Sequence, residues 1–322
     1  MLRRLLCGVV AALTLAPVAT ADGGGPSPGV NQGWDGVTAS GLGVRYVTVT
    51  VGTDTSLEMI RKRDGRVVNF MPLTGTWGIP AVANDGSSGG LSTDGRTLVL
   101  ADASAPNAPL RSQSSFLVVD TKRWRVAQPI FLNGDFAFDA LSPHASKLYL
   151  IQHVSAVDLT RYIVRAYDLS TGRLLPGAIA DRTQRGWVMQ GYPVSRATTV
   201  DGRWAYTLYR NDGGYPFIHA LDTVRGTAHC IGLPWNGTQD SIFNVRLSLG
   251  DGGQRLVAHW RNGTPIFTVN TQTFRLVRAH VSESGFPWWT LVIGAVVLLL
   301  SGGGVLRRGA TRRQRAVEVP QT

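Results

Sequence analysis

Cysteine is nearly absent from this chain. The 322 residues include only Cys7 and Cys230, and Cys7 falls in an apolar stretch at the N-terminus. Cys7 lies in the signal peptide predicted below, so only Cys230 is left in the exported chain. A single cysteine cannot form an internal disulfide, so the fold must be held by burial of apolar side chains. We predict that Cys230 is a small buried hydrophobic residue, with a metal ligand or an intermolecular disulfide as the alternative.

Glutamate and the common catalytic motifs are also scarce. Apart from Glu318 near the C-terminus, the chain holds only Glu58 and Glu283. A glycosidase with paired carboxylates would therefore have to rely on aspartates alone. The sequence has no HExxH, P-loop or dinucleotide-binding motif, and its six histidines show no metal-ligand spacing. We assign no catalytic residue, no metal and no cofactor.

The N-terminus has the pattern of a secretory signal peptide over residues 1–21. Arg3 and Arg4 precede an apolar core, Leu5 to Leu15, and Ala19-Thr20-Ala21 is a small-residue cleavage site. Residues 22–36 follow, and the glycine, proline and serine at their start predict a flexible leader. These features predict export of the chain.

The C-terminal region predicts a single membrane helix over residues 287–306. The stretch Trp288 to Leu306 is uncharged, and nineteen helical residues span about 28 Å, close to the ~30 Å hydrocarbon core. A basic cytoplasmic tail follows over 307–322, and a short stalk precedes over 281–286. The prediction is a single-pass protein of the cell membrane with its N-terminal domain outside. A buried C-terminal helix is the alternative. Gly302-Gly303-Gly304 weakens helix propensity and lends that alternative some support, whereas the arginine cluster favours the membrane helix.

The net charge of +11 does not indicate nucleic-acid binding. Arg3 and Arg4 account for +2 and the tail, with five arginines and Glu318, for +4, which leaves +5 for the exported part. Nucleic-acid binding needs a concentrated basic patch, whereas these charges are scattered. We therefore predict no nucleic-acid partner.

Repeated hairpins dominate the rest of the chain, with a period of roughly 50 residues. The clearest copies begin at Gly89–Asp102, Phe138–His153 and Ser195–Tyr209. Each copy continues into a second hairpin, and in four of five copies that hairpin opens on Asp or Asn, which cap tight turns. This pattern predicts an all-β fold, a β-propeller over residues 37–280 with five four-stranded blades, a count of six or seven staying open. Thr74–Ser88 and Asp181–Gln190 do not fit the period and are predicted to connect blades.

Three runs resemble the YVTN-type and WD40-like propeller repeats. Ser142-Pro143, Leu148-Tyr149 and Asp168-Leu169-Ser170-Thr171-Gly172 match the pattern of a turn, a strand and a second turn. The chain departs from it at His144-Ala145-Ser146, where the Asp-Gly is lost. The resemblance implies the fold, because these residues form turns and core, and it implies no activity.

We predict a binding rim on the face carrying the loops between blades and between the second and third strands of each blade. The rim candidates are Trp77, Asp102, His153, Trp187, Tyr192, Arg210, Asp212, Trp235 and His259. The alternative is that the tryptophans pack between blades and the other residues are merely exposed. The expected ligand is an unidentified protein, peptide or glycan.

Three further charged residues fall on predicted innermost strands. Asp139 aligns with Arg196, and Arg246 lies within one position of that level. A buried charge needs a partner, so we predict an Asp139–Arg196 pair across the channel, as a structural network or as a ligand site. The functional hypothesis is a membrane-anchored binding module. The alternative is a lactonase-like or glycan-cleaving propeller enzyme that uses rim Asp and His residues with a metal.

Overall fold

A computed structural model describes residues 29–31, 35–103, 110–183, 186 and 188–278. The predicted signal peptide, membrane helix and basic tail lie outside these residues. Within the described ranges, no helix has the length and apolarity needed to cross a bilayer.

The described part of the chain is almost entirely β, with two short 3-10 helices, η1 (Gln239–Asn244) and η2 (Asp251–Gly253). The strands are β1 (Val30–Asn31), β2 (Val44–Val51), β3 (Asp54–Arg61), β4 (Val67–Leu73), β5 (Trp77–Pro80), β6 (Thr97–Asp102), β7 (Gln113–Asp120), β8 (Arg125–Asn133), β9 (Phe136–Leu141), β10 (Lys147–His153), β11 (Arg161–Asp168), β12 (Arg173–Leu174), β13 (Met189–Gln190), β14 (Tyr192–Thr198), β15 (Trp204–Arg210), β16 (Phe217–Asp222), β17 (Thr227–Gly232), β18 (Val245–Gly250), β19 (Arg255–Trp260), β20 (Pro265–Asn270) and β21 (Leu276–Arg278).

These strands form five antiparallel sheets that follow one another along the chain, and we number them as blades. Blade 1 is β2-β3-β4, blade 2 is β5-β6-β7-β8 with β1 added inside, and blade 3 is β9-β10-β11-β12 with β13 also on β11. Blades 4 (β14-β15-β16-β17) and 5 (β18-β19-β20-β21) have four strands each. The prediction of repeated four-stranded units is confirmed for blades 2 to 5. In blade 1 the innermost strand is reduced to a bridge between Val37 and Tyr46.

Apolar side chains fill the seams between consecutive blades. Strands alternate so that one set of side chains faces each neighbouring blade. One cluster joins blades 1 and 2 through Leu57 and Leu98, and another joins blades 2 and 3 through Val99. Tyr149 and Leu221 belong to the seam between blades 3 and 4. The largest cluster lies between blades 4 and 5. This layered burial replaces the missing disulfides.

Side chains at the second turn tie together the two hairpins of a blade. Asp222 Oδ1 accepts hydrogen bonds from the backbone N–H groups of Val224 and Arg225. The next residue, Thr223, donates its hydroxyl to the carbonyl oxygen of Gly202 in the first hairpin turn, at 2.8 Å. Two further turns repeat this contact, through Thr121 to Gly95 and Thr271 to Gly253. The Asp-Thr or Asn-Thr pair in the sequence is therefore a structural clip.

The segment Thr74–Ser88, predicted as a connection, instead contributes to the innermost strand of blade 2. Strand β5 pairs with the end of β6, with Trp77 opposite Asp102, and the pairing resumes where Val99 N–H donates to Gly90. The prediction was wrong because the residues after Gly89 are too few to pair along all of β6. Between the two pieces, residues 81–88 form an inserted hairpin.

The inserted hairpin, residues 81–88, reaches from blade 2 to blade 4. Its ends are closed by a bridge between Ala81 and Ser88. Near its tip, the N–H of Asn84 donates to the carbonyl oxygen of Pro193 in blade 4, at 2.9 Å. Val30, within the predicted leader, also lies against this inner strand, because β1 pairs with β5. Chain segments that do not follow the repeat therefore contribute to the innermost region.

Candidate functional site

The loop 210–216, between β15 and β16 of blade 4, is the centre of the candidate site. Arg210 at its start forms ion pairs with Asp212 at 2.8 Å and with Asp240 at 3.3 Å. The guanidinium carbon lies 5.7 Å from the ring centroid of Tyr192 and 5.5 Å from that of Phe243. The guanidinium charge of Arg210 is therefore compensated by carboxylates and aromatic rings of the protein itself. Arg210 therefore positions the loop.

The structure brings together four of the predicted rim residues: Arg210 contacts Tyr192 and Asp212, and Trp235 lines the neighbouring cavity together with Asp212. Asp240 was among the residues expected in the loops between blades, whereas Phe243 was not predicted. Both reach Arg210 from η1, on the connection to blade 5. Sequence reasoning also missed Tyr215, whose residue surface is 67% exposed. The signal was present in the sequence, since Gly213-Gly214 immediately before an aromatic residue is typical of a loop that presents a ring.

A cavity of about 390 Å³, which we call the blade 5 cavity, opens between this loop and the connection from blade 4 to blade 5. Its lining includes Tyr215, Trp235 and Gln239. Trp235 is only 8% exposed, donates its indole N–H to Thr238 at 3.0 Å and packs against Trp260. Trp235 is thus a wall of the cavity.

A second cavity of about 370 Å³, the blade 3 cavity, lies on the other side of the same loop. Tyr215 borders it as well, together with Met189, Gln190 and Phe217. Its acidic lining residue, Asp181, accepts hydrogen bonds from Thr183 and from the backbone N–H of Cys230. The loop 210–216 therefore separates two cavities and presents Tyr215 to both.

Cys230 borders the blade 3 cavity, but its thiol is expected to be unreactive. Burial, with a smaller contribution from the charge of Asp181, raises the pKa of the Cys230 thiol to about 12. The thiol is therefore protonated at neutral pH, whereas nucleophiles and metal ligands use the thiolate. Its sulfur lies 3.7 Å from Nδ1 of His219. The environment is that of a structural cysteine.

The other predicted rim residues lie on different blades. Trp77 and Asp102 face each other in blade 2. In blade 5, Nδ1 of His259 lies 2.8 Å from the carbonyl oxygen of Trp260. Trp187 lies outside the described residues. In the described part of the chain, no group of three or more His, Cys, Asp and Glu residues is arranged to hold a metal ion.

His153 is buried at the end of β10 beside Asp135, whose carboxylate oxygen lies 3.5 Å from His153 Nδ1. Asp135 also pairs with Arg111 at 2.8 Å. Burial alone would raise the pKa of Asp135, but the contacts with His153 and Arg111 lower it to about 2. Arg111 donates a further hydrogen bond to the carbonyl oxygen of Phe136. The group fixes the start of blade 3.

The charged residues predicted for the channel separate into two groups. Arg196 forms a buried ion pair with the Asp139 carboxylate and also donates to the Asp139 carbonyl oxygen at 3.1 Å. Both residues border a cavity of about 160 Å³. Arg246 instead donates to the carbonyl oxygens of Phe243 and Val245. The innermost strands thus hold one charge pair and one arginine bound to backbone.

Comparisons with known proteins give similarity in fold only. No protein-family model matches the chain, and no curated protein matches it in sequence. The β-propeller domain of Cps50 (Swd1) from Myceliophteria thermophila is 10% identical, with 80% of this chain and 72% of that one covered and a TM-score of 0.45. A putative 6-phosphogluconolactonase from Bacteroides uniformis is 17% identical, with 75% and 68% covered and a TM-score of 0.43. The Dos1 propeller is 10% identical, with 77% of this chain and 58% of that one covered and a TM-score of 0.45.

The described part of the chain is itself a β-propeller, on the grounds of its five antiparallel sheets packed in chain order. This fold hosts many unrelated functions, so a function must be argued from the site.

Proposed function

We propose that the protein is an exported binding module, held at the cell membrane by its C-terminal segment, and that it binds its ligand at the loop 210–216. The observation that carries the proposal is Tyr215, an aromatic residue 67% exposed between two cavities. Exposed aromatic rings beside pockets are common anchors of binding interfaces, because they bury a large area at little cost in side-chain entropy.

The support around Tyr215 favours binding over catalysis. Arg210 and the two aspartates that pair with it hold the start of the loop, so the ring is presented on an ordered base. Binding needs such a positioned surface, whereas an enzyme needs several titratable groups converging on one pocket. In the lining of the blade 5 cavity, Asp212 is the one acidic or basic side chain, and it is paired with Arg210.

The test is a binding screen with the purified full-length protein against immobilised peptides and oligosaccharides. We expect Tyr215→Ala to weaken binding of any ligand found by at least about tenfold, the loss typical of a central aromatic contact. Phe70→Ala is the matched control, because Phe70 is 65% exposed on β4, far from the loop in sequence and in a different blade. Binding that survives Tyr215→Ala, or that is lost only in Phe70→Ala, contradicts the proposal.

A further inference from the structure

The lining of the blade 5 cavity identifies the chemical class of its ligand. We propose that this cavity binds a neutral saccharide, with Tyr215 and Gln239 as the recognition residues. The inference rests on the proposed function, since it assumes that the loop 210–216 is the binding surface. It adds which of the two cavities is used and what kind of molecule enters it.

The charge of the blade 5 cavity lining disfavours an anionic ligand. Asp212 is the one charged residue of the lining, and its carboxylate already pairs with Arg210 at 2.8 Å. Arg210 is also engaged by Asp240 at 3.3 Å. The cavity therefore offers no unpaired cation to a phosphate, carboxylate or sulfate, and two carboxylates against one guanidinium repel anions. A ligand without negative charge fits this surface.

The side chain of Gln239 has a hydrogen-bond acceptor without a donor. The side-chain amide of Gln239 donates from Nε2 to the carbonyl oxygen of Gly214, at 3.1 Å. This bond fixes which end of the amide is the oxygen, because a carbonyl accepts only from the nitrogen. Oε1 of Gln239 is buried and has no hydrogen-bond partner within the protein. A buried acceptor without a donor is unfavourable. A small rotation of the Gln239 side chain that exposes Oε1 to the cavity would let a ligand hydroxyl supply the missing hydrogen bond.

The shape of the blade 5 cavity lining suits a saccharide. Gly213 and Gly214 carry no side chain that would cover the backbone, and Tyr215 adds an exposed ring. A pyranose has hydroxyls around its edge and C–H groups on its faces, so it can stack on a ring while its edge bonds to amides. The volume of about 390 Å³ lies within the roughly 300–1,000 Å³ of small-molecule sites.

The blade 3 cavity provides the internal control. It shares Tyr215 with the blade 5 cavity, but its side-chain amides are those of Asn211 and Gln190. Nε2 of Gln190 donates to Asp158 at 3.1 Å. Substitution of each glutamine by methionine keeps the length of the side chain and removes its hydrogen bonds. Comparing Gln239→Met with Gln190→Met therefore distinguishes binding in the blade 5 cavity from binding in the blade 3 cavity.

The experiment is calorimetric titration of the purified full-length protein with cellohexaose, maltohexaose and N-acetylated chitohexaose, and with an oligogalacturonate as the acidic probe. We expect at least one neutral probe to bind, and Tyr215→Ala and Gln239→Met each to weaken it about tenfold or more. Gln190→Met should bind as the unmodified protein does, and the acidic probe at least about tenfold more weakly. Circular dichroism of each variant verifies that it is folded.

Three results would overturn the inference: no neutral probe binds, Gln239→Met binds normally, or Gln190→Met alone loses binding. If a peptide from the screen binds in a Tyr215-dependent manner and no saccharide does, the saccharide inference fails and the proposed binding function stands. If Tyr215→Ala changes the binding of nothing, the proposed function fails as well.

Discussion

The Asp139–Arg196 pair is the most heavily buried ion pair of the described residues, with side chains 3% and 6% exposed. It joins blade 3 to blade 4 on their innermost strands, β9 and β14. His219 lies nearby in the same seam, 1% exposed, and burial lowers its pKa to about 4 although the Asp139 charge acts in the opposite direction. His219 is therefore neutral at physiological pH. Asp139 and Arg196 depend on each other for charge compensation.

We predict strong coupling between these two residues in a double-mutant cycle. Asp139→Ala or Arg196→Ala alone should lower the free energy of unfolding by on the order of 3–5 kcal/mol, because each leaves the other charge buried without a partner. The double variant should lose much less than the sum. Denaturant unfolding of the full-length protein measures all four species.

A surface pair serves as the control for that cycle. Arg255 and Asp251 lie 3.0 Å apart with side chains 51% and 61% exposed. Exposed pairs couple by about 0.2–1 kcal/mol, so their cycle should be nearly additive. Additive losses in the Asp139–Arg196 cycle would show that the buried contact contributes nothing of its own.

The pairing of the inner strand of blade 2 with β6 requires a glycine at position 90. Gly90, where the strand resumes after the inserted hairpin, has φ of +94°. A Cβ placed there would lie 2.4 Å from the carbonyl oxygen of Val99, the atom opposite it on β6. Gly86, at the hairpin tip, has a similar φ of +89°, but a Cβ there would meet nothing within 4 Å.

We therefore predict that Gly90→Ala is far more destabilising than Gly86→Ala. Both substitutions impose a left-handed conformation on alanine, at roughly 1–2 kcal/mol. Only Gly90→Ala also forces the backbone of β6 away, so its midpoint of thermal unfolding should fall several degrees further. Equal midpoints for the two variants would mean that the inner strand of blade 2 is not paired at Gly90.

Some of these elements could be predicted from the sequence and others could not. Turns such as those at Asp168 and Asp222 were predictable, because a short side chain that caps its own turn is a local property. The hairpin 81–88 was not, because it breaks the repeat and is held by Asn84 against a different blade. Phe243, one of the contacts of Arg210, was missed for the same reason, since it approaches from η1, on the connection to blade 5.

At the scale of the molecule, the repeat itself carries the fold prediction. A blade cannot bury both faces alone, so copies at a regular spacing predict that each seam is filled by the next copy. The seam clusters agree with that reasoning: the largest one contains Leu208 of blade 4 and Phe267 of blade 5. The site was less predictable, because it is made by connections whose length and sequence differ from blade to blade.

Residues 287–306 are predicted to anchor the protein in the membrane. Blade 5 is complete before that segment, since Phe267 on β20 is paired with Arg278 on β21. Truncation after Gly285 therefore leaves all five sheets intact and removes the uncharged stretch and the arginine-rich tail. We expect the truncated chain to appear mostly in the medium and the full-length chain in the membrane fraction. Immunoblots of the two fractions measure this, with binding by the released form as the check that it is folded. A truncated chain that stays in the membrane fraction would place the anchor elsewhere, in an uncleaved N-terminal segment.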